Sequence, residues 1–251
     1  MPYSTWGRNA SVLAAAGFRV LRYEHYGRGY SDRPRCAYDL GIFVEQLDEL
    51  VRALGLGRPL VLIGLSMGGP VAVAAAARLP GLAAALVLVD PLYSWPLPRG
   101  ASRLLMFPPL GEAIMALAGP QTLVGGQRGD FYSEASYEEF RPFYLPHLAY
   151  RGMGRAVLAT IRSIPSWPLA ETYDSYGRLG IPTLVFWGRM DATLPIVQSE
   201  ALLAAVPSAR LHVVEGAGHV PHWEKADEVN AETIAFLRTL GEARDEGYRP
   251  S

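Results

Sequence analysis

Residues 60–70 read Leu60-Val-Leu-Ile-Gly-Leu-Ser66-Met-Gly-Gly-Pro70. The apolar run that opens this stretch has strand length and no alternation, the pattern of a parallel strand covered on both faces. Residues 67–79 are small and predict a helix, which Pro80 stops. Between them, Gly64-Leu65-Ser66-Met67-Gly68 fits a turn that joins strand to helix with no loop, a nucleophile elbow. Such a turn is tight enough to hold its serine in strained backbone geometry. Side chains two residues to either side would collide with neighbouring backbone, which accounts for Gly64 and Gly68. The turn lifts the Ser66 hydroxyl to the C-terminal end of the strand. It also aims the Met67 amide, near a helix N-terminus, at the place where an oxyanion would form. The alternative is a glycine-rich turn that serves only strand–helix packing.

Outward from this turn, strands and helices alternate. Phe18-Arg-Val-Leu-Arg-Tyr23 alternates in polarity and predicts a strand. Residues 83–89, 183–187 and 211–214 predict three more. Helical spacing marks residues 9–16, 43–54, 196–206 and 226–240, with Gly55 and Gly57 ending the second. This alternation implies parallel pairing, so the expected fold class is α/β, a mostly parallel sheet flanked by helices. Between Pro91 and Trp167 the rhythm stops. Aromatics, Pro and Gly scatter through weak helical periods at 104–117 and 156–164, which predicts a helical cap inserted over one end of the sheet. The core is then 1–90 and 168–251, and the cap 91–167. The tail, 241–251, is polar and expected to fray.

Composition narrows the function. Of 251 residues half are hydrophobic and 19% charged, which builds a core and excludes a disordered chain. Lys and Arg total 23 against 24 Asp and Glu, so no charge balance argues for nucleic acid or a charge-driven partner. The single cysteine, Cys36, excludes an internal disulfide framework and a multi-cysteine metal site; it is expected to fill a gap in a loop or the core. The start has no charged residues followed by an apolar run, so it is not a signal peptide as given. Residues 59–77 carry no charge, yet Gly64, Ser66, Gly68, Gly69 and Pro70 in their middle fit a strand, turn and buried helix better than a membrane span. No stable membrane insertion is expected, and the default location is cytoplasmic. The oligomeric state is left open.

A serine hydroxyl needs a base, and the base needs an orienting carboxylate. The histidines are His25, His147, His212, His219 and His222. His219 stands in Gly216-Ala-Gly-His-Val-Pro221, directly after a strand, where it would overhang the same sheet edge as Ser66. It is the favoured base. His222 would order that loop or cap the last helix, and His212 alternates inside a strand. His25 would line the cleft, and His147 in the insertion would touch substrate. Two carboxylates follow strands, Asp191 and Asp90, and both satisfy the chain order Ser, Asp, His. Asp191 is favoured because its loop can approach that of His219; Asp90 begins the insertion and would cap or hinge it.

The stretches "GFRVLRYEHYGRGYSDRP", "LIGLSMGG", "LVFWGRMDATLP" and "VVEGAGHVPHWEKADEVN" together resemble the successive motifs of the α/β-hydrolase superfamily. The resemblance is to its serine-nucleophile branch with a helical cap. It covers nearly the whole chain, the cap only in kind. It implies Ser66 as nucleophile, Asp191 as acid and His219 as base, the Met67 amide in the oxyanion hole, and neither cofactor nor metal. Dehalogenases and epoxide hydrolases of the superfamily use an Asp nucleophile, which Ser66 argues against. Carboxylesterases, monoacylglycerol lipases and C–C bond hydrolases of aromatic degradation are nearer. One departure concerns the start. Members begin with a hairpin and a strand ending in His-Gly, after which a backbone amide gives the second oxyanion donor. No His-Gly occurs here, and residues 2–6 look like the end of that loop. The missing strand would lie between 18–23 and 60–63, leaving a gap or unpaired edges. A start upstream of Met1 is the favoured expectation; the alternative is a weak or inactive truncation.

The expected reaction is acyl transfer on a small-molecule ester, small to medium and largely apolar. The cap supplies Tyr93, Trp95, Leu105, Met106, Phe107, Met115, Phe140, Phe143 and Tyr144 for such a pocket. A C–C hydrolase with the same triad is one alternative, with Arg99, Arg103, Arg141 and Arg155 eligible for a substrate carboxylate. A non-catalytic binding protein on the same scaffold is the other.

Overall fold

The computed structural model describes residues 2–95 and 100–247. Four strands, β1 (Leu60–Leu65), β2 (Ala83–Val89), β3 (Thr183–Gly188) and β4 (Ala209–Val214), form one sheet in that order. Every pairing is parallel. The inner strands β2 and β3 have helices over both faces, which is why their sequences are apolar without alternation. Ala85 to Val89 and Leu184 to Trp187 are all buried. Leu65 pairs with Val89, Val89 with Phe186, and Gly188 with Val214, so the strands end along one edge.

The helices are α1 (Gly7–Ala15), α2 (Leu40–Ala53), α3 (Gly68–Arg78), α4 (Leu110–Arg128), α5 (Glu134–Tyr144), α6 (Met153–Ser163), α7 (Leu169–Gly177), α8 (Gln198–Ala205), α9 (Pro221–Glu224) and α10 (Ala226–Gly247). Small side chains let α3 sit close against β1, α2 and α7, with Val71 to Ala76 buried. Between β2 and β3 the described residues form only helices and turns. Asp39 caps α2 by accepting the Ile42 N–H at 3.0 Å. Among the described residues no helix is long and apolar enough to cross a membrane.

Four expectations are corrected. Residues 18–23 are not a strand: they run between α1 and α2 without ladder partners. Alternating polarity is not sufficient, because a strand exists only where a neighbour takes its N–H and C=O groups. Among the described residues no strand lies beside β1 on that side, and Val61 and Ile63 are 37% and 36% exposed. The helix expected at 104–117 is interrupted, because Pro108 and Pro109 lack N–H donors. A 3-10 turn (Gly100–Met106) precedes, and α4 begins at Leu110. It continues to Arg128 through a kink at Ala118, two residues before Pro120. Cys36 fills no gap and is exposed. The expected fraying of the tail is replaced by α10 as far as Gly247; residues 248–251, Met1 and Arg99 lie outside the described residues.

Candidate active site

Ser66, Asp90, Asp191 and His219 each lie beyond the C-terminal end of a strand, and parallel pairing brings these ends to one edge. Backbone bonds prolong the ladder into the loops. Ser66 N–H donates to the Val89 carbonyl at 2.9 Å, Asp90 N–H to Phe186 at 2.9 Å, and Met190 N–H to Ala217 at 2.9 Å.

Ser66 has φ +52°, in the left-handed region. For an L-residue that conformation costs roughly 1–2 kcal/mol. The sharp turn is possible because a Cβ on Gly64 would lie 2.3 Å from the Gly68 carbonyl oxygen. Gly68 itself is not sterically required, contrary to expectation: a Cβ there would meet only His25 Nε2, at 3.9 Å. The second tight position is Gly69, whose Cβ would come 2.6 Å from Pro91 Cβ. Met67 stands at the N-terminus of α3, where the first N–H groups have no intrahelical acceptor.

His219 and Asp191 meet. His219 Nδ1 is 2.7 Å from Asp191 Oδ2, with side chains 4% and 0% exposed. Asp191 Oδ1 accepts the N–H groups of Thr193 and Leu194, both at 2.8 Å, which fixes the carboxylate plane. Among the described residues Ser66 Oγ makes no hydrogen bond to His219. Such contacts often tighten only with substrate in place. The two loops touch through backbone: a Cβ on Gly188 would lie 1.9 Å from the Gly218 oxygen. Replacing Gly188 with alanine is therefore expected to cost about 3 kcal/mol, read as a lower urea midpoint, and to part Asp191 from His219.

Asp90 is fully buried beside this pair. Its Oδ1 accepts Gly188 N–H at 2.9 Å, and Oδ2 has no partner of its own. Asp90, Asp191 and His219 offer one ligand atom each within 4.8 Å of one another. Both Asp191 oxygens already accept N–H or imidazole contacts, so the triangle is organised around protons. Burial, and then the Asp191 charge, hold Asp90 well above the usual carboxylate range.

Sequence reasoning missed Asp130, which follows α4. Its carbonyl accepts His219 N–H at 2.8 Å, and its carboxylate accepts the Thr193 hydroxyl at 2.7 Å. Glu224 completes the clamp, accepting Gly218 N–H at 2.6 Å and Ser133 N–H at 2.7 Å. Nothing in "GGQRGDFYS" signals these contacts, which exist only once the helical segment rests on the loops that carry Asp191 and His219.

Burial lowers the His219 pKa, but the Asp191 carboxylate and then Asp130 outweigh it, and the net shift is upward from 6.5. A base is lost when it protonates, so kcat/KM is expected to fall to half at a pH above 6.5. Asp130→Asn keeps an acceptor for Thr193 and removes the charge. The acid limb is then expected to move to lower pH, read from the pH profile of kcat/KM.

The remaining histidines are held elsewhere. His222 is fully buried, 3.1 Å from Thr5 Oγ1, and burial pulls its pKa down to about 3. His147 is buried with Nδ1 3.6 Å from Glu24 Oε1. His212 pairs with Glu228 on α10 at 2.7 Å. His25 packs edge-on to Phe43 near α3, its pKa pulled by burial to about 3. Of the cap arginines, Arg141 meets Glu138 and Arg155 the carbonyls of Arg33 and Pro34, while Arg103 is exposed. Phe140 and Tyr144 are core residues, Phe140 packing on Trp223 at 4.9 Å; Phe107 and Phe143 are exposed.

A family model described as alpha/beta hydrolase fold matches residues 2–226, and the chain belongs to that family. A 2-hydroxy-6-oxononadienedioate/2-hydroxy-6-oxononatrienedioate hydrolase of Burkholderia vietnamiensis is 31% identical over 248 residues, spanning 94% of this chain and 82% of that protein. A protein of Synechocystis named as a non-heme chloroperoxidase is 28% identical over 248 residues, spanning 93% and 86%. Among solved structures, a bromoperoxidase from Bacillus anthracis superposes with a TM-score of 0.80 at 20% identity, covering 95% of this chain and 88% of that one.

Proposed function

We propose that the chain is a serine hydrolase that cleaves a small to medium, largely apolar carboxylic ester through an acyl-enzyme. The observation that carries this reading is the buried 2.7 Å contact between His219 and Asp191, at the sheet edge where Ser66 sits in its strained turn. In this mechanism Asp191 holds the His219 tautomer that leaves Nε2 free to take the Ser66 proton as Oγ attacks the carbonyl. The oxyanion develops toward the Met67 amide. His219 returns the proton to the leaving alcohol, then activates the water that frees the acid. Residues 91–167 act as the cap over a core of 1–90 and 168–251. The partner is a small-molecule ester, the cellular location is the cytoplasm, and nucleic acid has no part.

A second reading is favoured by the Burkholderia relative, whose name describes a dienedioate hydrolase. The same three side chains would then cleave a carbon–carbon bond. Comparing turnover of 4-nitrophenyl butyrate with that of a 2-hydroxy-6-oxo-dienoate separates the two. The common premise is tested by intact mass after a fluorophosphonate. One adduct, absent from Ser66→Ala, is expected. No adduct on a folded chain overturns both readings and leaves a binding protein.

A further inference from the structure

Arg28, in the loop before α2, is half-buried, and its acceptors among the described residues are all uncharged. Its Nη1 donates to Thr160 Oγ1 at 2.9 Å and to the Tyr26 carbonyl at 3.5 Å. Its Nη2 lies 4.0 Å from the sulfur of Met67, the residue after Ser66. A guanidinium has five N–H donors, and these contacts use only some of them. A cation withdrawn from water without a counter-charge costs several kcal/mol, and proteins therefore pair such groups. Burial already pulls the Arg28 pKa down to about 10.

The side chain is also held in place. Gly27 has φ +85°, and a Cβ there would lie 2.7 Å from Ala156 Cβ on α6 and 3.0 Å from the Tyr38 ring. The loop is thus pressed between helix and core with no room to turn. Thr160 is buried and gives its own proton to the Ala156 carbonyl at 2.9 Å, so its oxygen is free to accept from Arg28. Beside Arg28 the His25 imidazole has an unpartnered, buried Nδ1, and the Arg28 charge helps to keep that ring neutral. A fixed, unpaired cation with a neutral neighbour, against the side chain of the residue that follows the candidate nucleophile, is the arrangement of an anion subsite.

We infer that Arg28 binds a carboxylate of the substrate, so that the physiological ester is a monoanion with its charge a short link from the scissile carbonyl. This rests on the hydrolase reading above and names a residue outside the helical segment, where Arg103, Arg141 and Arg155 are exposed or otherwise bonded. An Arg–carboxylate pair can be bidentate, fixing orientation as well as charge.

The test compares monomethyl glutarate with dimethyl glutarate, which differ by one charge. Methanol release by the parent chain is expected to favour the monoester at least tenfold in kcat/KM. Arg28→Gln is expected to remove that preference through KM, and Arg28→Lys to restore part of it. A second arm is free of turnover: Ser66→Ala is titrated calorimetrically with both esters, with and without Arg28→Gln. A tenfold tighter Kd for the monoester that needs Arg28 supports the inference even where neither ester is cleaved, an outcome that counts against the ester reading alone. Equal handling of both esters by the parent chain and equal Kd values overturn it, as does a preference that survives in Arg28→Gln.

Discussion

Exchanging Ser66 for glycine is expected to abolish turnover and to stabilise the fold at once. The hydroxyl is the attacking group in the proposed mechanism, and losing a triad nucleophile lowers kcat by about 10⁶. The stability gain follows from φ +52°. Glycine relieves roughly 1–2 kcal/mol of left-handed strain, and its extra freedom in the unfolded chain costs back about 0.5–1 kcal/mol. Relief wins by about 1 kcal/mol, or a melting temperature about 2–4 °C higher for a chain of this size. Ser66→Ala loses the same activity but keeps its Cβ, so its melting temperature stays where it was. Both variants are measured by ester turnover and thermal unfolding. Retention of a hundredth of the activity in Ser66→Gly would sink the nucleophile assignment. A lower melting temperature would show that the turn is not strained.

Asp191→Asn should lower kcat by about 10⁴ with little change in folding. The asparagine oxygen can still accept Thr193 and Leu194 N–H, but its NH₂ then faces His219 Nδ1. The ring must turn over its tautomer, and Nε2 arrives at Ser66 already protonated. Asp90→Asn has a different signature. Its oxygen keeps the Gly188 bond and the neutral amide has nearly the carboxyl's shape, so kcat stays within about tenfold. Its effect is on pH dependence. A carboxyl whose folded pKa is raised binds its proton more tightly than in the unfolded chain. That stabilisation is complete below the ordinary value of 3.8 and is lost as pH rises through the folded value. Asp90→Asn removes this loss, so melting temperature against pH becomes flatter on the alkaline side. If Asp191→Asn instead kept activity within tenfold while Asp90→Asn lost it, the acid would be Asp90.

The elbow, Asp191 and His219 were legible because each is local: a strand, then a short loop rich in Gly, at a parallel edge. Once pairing is parallel, such loops converge without further information. The contacts of Asp130, Glu224 and Arg28 were not legible, because they arise where the helical segment meets the core, a register no periodicity encodes. The strand read into residues 18–23 failed for a related reason. Its pattern describes a side-chain face, whereas membership of a sheet depends on a neighbour. Gly68 was overread in the same way, since glycine spacing does not say which Cβ would collide, and Gly69 is the one pressed by Pro91.

The open side of β1 has a consequence for handling the protein. Val61 and Ile63 point to solvent on a strand whose outer N–H and C=O groups have no ladder partner among the described residues, and a strand in that state is a template for growth by other chains. Such growth is at least second order in protein, whereas loss of the catalytic geometry is first order. Concentrated stocks will therefore turn cloudy while the surviving soluble fraction keeps its full specific activity, and dilution, more than cooling, preserves the preparation.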